Sequence, residues 1–164
     1  MAPVRVADQQ CTIALPAALL GERWTLLLVR QAFLGTRRFE DFQSSMAISR
    51  SVLAERLGTL VEEGILRRVA YKDVRTRYEY RLTEKGLDLY PVLMALRKWG
   101  DRWMPPEQGP SFELHHRDCG GGVDVHVTCA ACREELTARD VRVTFSAPAD
   151  EPTAPGSAAP PAGR

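Results

Sequence analysis

The stretch that most limits the possible folds runs from Ser49 to Gly64, SRSVLAERLGTLVEEG. Val52, Leu53, Leu57, Leu60 and Val61 fall at helical spacing, so a helix here has one apolar face that must pack against something. Ser49 can cap its first turn, because a hydroxyl accepts an N–H that has no partner inside the helix. Gly64 can end it, because glycine enters the left-handed region at little cost. On the opposite side Arg50, Ser51, Ala54, Glu55 and Arg56 crowd into the N-terminal half. That half is where the second helix of a helix-turn-helix presents side chains to base edges. An amphipathic helix with a few arginines also describes many ordinary surface helices, so the flanks decide.

Upstream, TRRFEDFQSS places Phe39 and Phe42 about one turn apart, which predicts a short helix, and Met46-Ala47-Ile48 predicts a turn. Short helix, tight turn and longer helix is helix-turn-helix order. Downstream the period changes from helix to strand. Ile65 to Tyr71 and Arg77 to Leu82 read as two strands rich in aromatic and β-branched residues, with Lys72-Asp73-Val74-Arg75-Thr76 as a charged tip. A hairpin directly after a helix-turn-helix makes a winged helix. Arg50, Ser51 and Ala54, behind the Ser49 cap, are then the candidates for base contact. Arg75 and Arg77 can reach phosphates or the minor groove, and Arg38 and Arg56 are candidates for phosphate.

The rest of the first two-thirds is helical in pattern. Residues 1–10 read as a flexible arm. CTIALPAALLG predicts a short helix that either kinks at Pro16 or starts near it, and ERWTLLLVRQAFLG is apolar over so much of its surface that it should be the core helix. Thr83 caps a further helix running through Trp103, bent near Leu87 because Pro91 removes a backbone donor. Leu89, Val92, Leu93, Leu96, Trp99 and Trp103 line one of its faces. The first helix covers part of that face and a second subunit would cover the rest. Twofold symmetry suits a reader of palindromic DNA.

The net charge of +1 conceals an asymmetry: residues 1–106 hold 17 Lys+Arg against 12 Asp+Glu, and residues 107–164 hold 5 against 9. A basic front end and an acidic module are expected. No run of about 18 apolar residues occurs and MAPVRVADQQ lacks the apolar core of a secretory signal, so no membrane partner and a cytoplasmic location are expected. Four cysteines in that compartment favour thiol or metal chemistry over disulfides.

Three of those cysteines and all three histidines lie in residues 112–145. His116-x2-Cys119 and Cys129-x2-Cys132 are two chelate pairs, with Gly120-Gly121-Gly122 allowing a reversal and Val123 to Val127 alternating like the strand between two knuckles. A small β zinc-ribbon-like appendage is expected, with His116, Cys119, Cys129 and Cys132 on one structural zinc and His115 and His126 as reserve ligands. Residues 146–164, rich in Pro, Ala and Gly, should be a disordered tail.

Taken together, Cys11, Gly21-Glu22-Arg23-Trp24-Thr25-Leu26-Leu27, Arg38-Phe39, Leu53-x-x-Arg56-Leu57, Glu63-Gly64, Tyr80-Arg81-Leu82-Thr83-Glu84-Lys85-Gly86 and Trp99-Gly100 resemble the HxlR family of bacterial winged-helix transcription regulators, relatives of MarR. The likeness covers about Cys11 to Trp103. It implies a homodimer built on the first and last helices and bound to operator double-stranded DNA, with no effector identified. It also implies that Cys11 matches the N-terminal cysteine that senses oxidants or electrophiles in some members. A helix start favours a thiolate.

The expected fold is therefore mainly α with a β-hairpin wing: a winged helix-turn-helix with dimerisation helices over residues 11–106, plus the appendage at 112–145. The expected function is a homodimeric DNA-binding regulator, modulated by thiol modification or a small effector. The alternative is a zinc-ribbon interaction module that dimerises through the winged-helix part. An enzyme finds no support, since neither a Ser/His/Asp constellation nor a phosphate-binding glycine loop is present.

Overall fold

The computed structural model describes residues 11–71, 77–109 and 112–144. The arm at 1–10, the hairpin tip at 72–76 with Arg75, and the tail at 146–164 lie outside the described residues. The chain divides into two compact units, Met1–Val125 and His126–Arg164.

In the first unit the elements run α1 (Ala14–Leu20), α2 (Thr25–Phe33), α3 (Phe39–Ser45), α4 (Arg50–Glu62), β1 (Leu66–Tyr71), β2 (Arg77–Leu82), α5 (Glu84–Leu87) and α6 (Tyr90–Trp103). Pro16 sits in the first turn of α1, where its missing donor costs no intrahelical bond. In α2, Thr25, Leu28, Val29 and Ala32 are buried while Leu27 faces outward, so the helix is covered on one broad side rather than all round. Gly35, at φ +96°, ends this helix region.

The core is Leu28, Val29 and Ala32 of α2, Phe42 of α3, Met46 and Ile48 of the turn, Leu53, Leu57 and Leu60 of α4, Ile65, Leu66 and Tyr80 at the base of the hairpin, and Leu93 of α6. Strands β1 and β2 pair antiparallel in the register Leu66↔Leu82 to Tyr71↔Arg77. At its base the hairpin is fastened to the helices. The Tyr80 N–H donates to Arg37 O at 2.8 Å, and the Tyr80 ring meets Phe42 edge-on with centroids 6.3 Å apart.

One helix was expected from Thr83 to Trp103; the structure has two. Thr83 caps α5, its hydroxyl accepting the Gly86 N–H at 3.1 Å, but α5 ends at Leu87 and α6 starts at Tyr90 with Pro91 in its first turn. Proline is tolerated there because the first helical N–H groups lack partners anyway, so the chain breaks and restarts instead of bending. The six-residue apolar face divides as a result. Leu93 is buried and Leu89 packs on the core, while Val92, Leu96, Trp99 and Trp103 are exposed.

Among the described residues the appendage contains no named strand, only the isolated bridges His115↔Gly122 and Thr128↔Glu135. None of the described helices is long and apolar enough to cross a membrane.

Candidate nucleic-acid interface

Helix α4 owes its position to its buried side. Leu53, Leu57 and Leu60 are each fully buried, and burying a leucine stabilises by about 1.5–3 kcal/mol, so three of them fix the helix in rotation as well as in place. Ser49 closes the N-terminus in extended backbone: its Oγ accepts the Val52 N–H at 3.3 Å and lies 3.2 Å from Ser51 Oγ. The turn before it is held by Met46 and Ile48, both buried, with Ile48 N–H donating to Met46 O at 2.7 Å. At the far end Gly64 adopts φ +68°, the left-handed conformation that glycine reaches cheaply.

The remaining side of the N-terminal half is open: Ser49, Arg50, Ser51, Ala54 and Glu55 are exposed. The Arg50 guanidinium stacks over Phe39 of α3, 4.8 Å from the ring centroid, which restricts its sweep while leaving its edge free for bidentate hydrogen bonding. Ala54 presents a methyl group one turn further on. A helix with its apolar face locked down, its N-terminus forward and a small, polar, cationic leading surface is shaped to enter a major groove.

Arg56 stands apart from that surface. Its guanidinium pairs with Glu22 at 3.0 Å and with Glu55 at 3.6 Å, and the side chain is mostly covered. It ties α4 to the segment ahead of α2. Arg38 is exposed at the N-cap of α3 and has an interaction partner. Arg77 opens β2, next to the tip. Along the hairpin Arg67, Arg68 and Arg81 are exposed, with Arg68 over the Tyr80 ring at 5.8 Å and Arg81 held by Glu79 at 2.9 Å. The strands of the hairpin thus carry three exposed arginines, Arg67, Arg68 and Arg81, besides the two that the sequence singles out.

Cys11 lies ahead of α1 with its thiol exposed, and its carbonyl accepts the Ala14 N–H at 3.1 Å. The other two Cys/His pairs occupy a pair of turns with the same backbone bonds. In the first, His116 N–H donates to Gly121 O, Gly120 N–H to His116 O and Val123 N–H to Leu114 O. In the second, Cys129 N–H donates to Glu134 O, Arg133 N–H to Cys129 O and Leu136 N–H to Val127 O. The turning residues Gly120 and Arg133 have φ +71° and +66°. The first turn brings His116 Nδ1 within 3.1 Å of Cys119 Sγ. In the second, the Cys129 thiol is held below the ordinary thiol range, first by the Cys132 backbone N–H, then by that of Ala131 and the Cys132 thiol. His115 bonds Glu113 and Gly120 O, and His126 bonds Glu135 at 2.7 Å. Among the described residues no three His, Cys, Asp or Glu side chains stand together in a metal-binding arrangement.

A short helix, a three-residue turn, an anchored and capped helix and a β-hairpin define a winged helix-turn-helix protein. A family model described as HxlR-like helix-turn-helix matches residues 19–108, and the chain belongs to that family as a transcriptional regulator of helix-turn-helix type. It is 46% identical over 123 residues to the uncharacterized HTH-type transcriptional regulator Rv3095 of Mycobacterium tuberculosis, covering 75% of this chain and 78% of the relative. It is 33% identical over 90 residues to the HTH-type transcriptional regulator YodB of Bacillus subtilis, covering 54% of this chain and 80% of that one. Among solved structures, PA1607, a candidate transcription factor, superposes with a TM-score of 0.76 at 36% identity, over 85% of this chain and 97% of its own. The redox regulator HypR in its reduced form superposes with a TM-score of 0.53 at 28% identity, over 56% and 92%.

Proposed function

We propose that the protein acts as a homodimer on a palindromic operator, with α4 of each subunit in a major groove and each wing on the flanking backbone or minor groove. The observation that carries this is the division of α4: three leucines buried at its back, and Ser49, Arg50, Ser51 and Ala54 exposed in front. Val92, Leu96, Trp99 and Trp103 of α6, and Ile13 and Leu15 beside and within α1, are exposed apolar side chains of the kind a second subunit covers. Arg50 reads base edges; Arg75 and Arg77 hold phosphates.

Selection of bound sequences from random duplex DNA tests this. Two half-sites spaced near one helical turn are expected. Arg50→Ala should relax preference at one position per half-site, worth about 1–3 kcal/mol of discrimination. Arg75→Ala should weaken all sequences alike and lower the salt slope by about one. A protein that stays monomeric and selects no sequence refutes the reading.

Two further readings complete the account. Cys11 is the thiol through which oxidants change operator affinity, in keeping with its exposure and with the similarity to the redox regulator HypR. Gel shifts of wild type and Cys11→Ser with and without peroxide decide it: an unchanged response in the variant removes the assignment. The matched backbone bonds of the two turns favour a structural zinc, with His116 and Cys119 as one ligand pair and Cys129 and Cys132 as the other. One zinc per chain by metal analysis, lost in Cys129→Ser, is expected. Absence of metal from protein purified without chelator refutes it.

A further inference from the structure

Phe39 opens α3 and is half-buried, packing against the core, while Phe42 one turn on is fully buried and meets Tyr80 edge-on. The core therefore fixes where the Phe39 ring stands. Over that ring, 4.8 Å from its centroid, lies the guanidinium of Arg50, the first residue of α4. Other arginines of the first unit are held by carboxylates: Arg56 by Glu22, Arg81 by Glu79 and Arg97 by Asp101. Arg50 has no such ion pair among the described residues.

The two kinds of partner leave an arginine in different states. A carboxylate occupies guanidinium N–H groups and cancels the charge. A ring takes the cation on its face, keeps the charge and leaves the N–H donors at the guanidinium edge unused. An arginine that moves freely in solvent must be immobilised when it meets a base, and the lost rotamer freedom counts against the contact. One that already rests on a ring has given up part of that freedom before DNA arrives. We propose that Phe39 is a positioning residue for sequence recognition. It acts through Arg50, holding the guanidinium edge-on for the paired acceptors of a guanine, and so sets how strongly Arg50 discriminates at its base pair. The proposal rests on the reading that Arg50 meets a base edge.

The test compares the affinity of the full chain for its selected duplex with that for the same duplex altered, in one half-site, at the base pair where Arg50→Ala loses preference. Phe39→Leu should lower the ratio of the two affinities by about two- to fivefold, the scale of an exposed cation–π contact, and leave affinity for the altered duplex unchanged. Phe39→Tyr, which keeps the ring, should retain the wild-type ratio. In an Arg50→Ala chain, Phe39→Leu should change the ratio no further. A ratio unchanged in Phe39→Leu overturns the proposal, as does an equal loss on both duplexes, a loss that persists in the Arg50→Ala chain, or a Phe39→Tyr chain that behaves like Phe39→Leu. Should Phe39→Leu fail to fold, Phe39→Met decides in its place. A chain that selects no sequence, or one whose selected site is indifferent to Arg50, overturns the operator reading and this proposal with it. An Arg50-dependent position indifferent to Phe39 overturns this proposal alone.

Discussion

Gly86 and Gly58 make opposite predictions from the same substitution. A Cβ added at Gly86 would collide with the backbone carbonyl oxygen of Ile65 and lie 3.0 Å from Leu82 Cδ2. The carbonyl cannot move freely, because it accepts the Thr83 N–H at 3.1 Å and shares the Thr83 hydroxyl, at 3.2 Å, with Gly64 O. Relief therefore strains the junction of β1 and α5 or breaks its bonds. Overpacking of about 1–3 kcal/mol, plus one or two hydrogen bonds at about 0.5–1.5 each, less about 0.5–1 for alanine's helix preference, centres on a net loss of about 3 kcal/mol for Gly86→Ala. At Gly58, in the middle of α4, the added Cβ meets nothing within 4 Å, and φ is unexceptional. Gly58→Ala should stabilise by about 0.5–1 kcal/mol through helix propensity alone. Urea unfolding followed by tryptophan fluorescence reads both, with Trp24 packed against the core. Protein concentration must be fixed, since self-association adds to apparent stability. A Gly86→Ala protein no less stable than wild type would refute the reasoning. So would two variants shifting in the same direction.

Other tests follow the same geometry. Ser49→Ala removes the cap on the Val52 N–H and should cost about 1 kcal/mol, measured by urea midpoint, whereas Ser49→Asp should retain most of the stability. Leu57→Ala, at a fully buried site, should cost about 2–5 kcal/mol; a loss below 1 would mean that the back of α4 is not packed as described. Trp99→Lys, at an exposed α6 position, should leave the monomer folded and shift sedimentation toward a single subunit; an unchanged dimer would move the interface elsewhere. The Asp140 carboxyl is held below its ordinary value, first by the Thr137 side chain and then by the Thr137 N–H. The turn they form is therefore intact above the ordinary carboxylate range and is released only as pH falls through the lowered folded value. The Thr137 amide shift against pH should show that depressed midpoint; a midpoint at or above about 3.9, the free aspartate value, would contradict it.

Helix α4 is legible because its signals are local. Leucine spacing, a capping serine and a terminal glycine all lie within sixteen residues of one another, and the strands of the hairpin were marked by their period to within one residue at β1 and exactly at β2. The exposed arginines were legible as residues but not as contacts. Arg56 reads as a candidate for phosphate from its place in the helix, and only the fold shows that Glu22, more than thirty positions earlier in the chain, stands against it. Arg50 gave no sign that Phe39 would hold it, since only the angle between α3 and α4 makes that stack.

By itself the order of residues determined which segments are helical, which are extended, where α4 starts and stops, and which of its faces is greasy. Those are properties of the 3.6- and 2-residue periods and of caps, and they need no distant partner. Tertiary structure decided how the apolar residues of α6 divide between an interior Leu93 and an outward Leu96, Trp99 and Trp103. It also decided which cations are neutralised. Periodicity says that a side chain must be covered; only the packing of one element on another says by what.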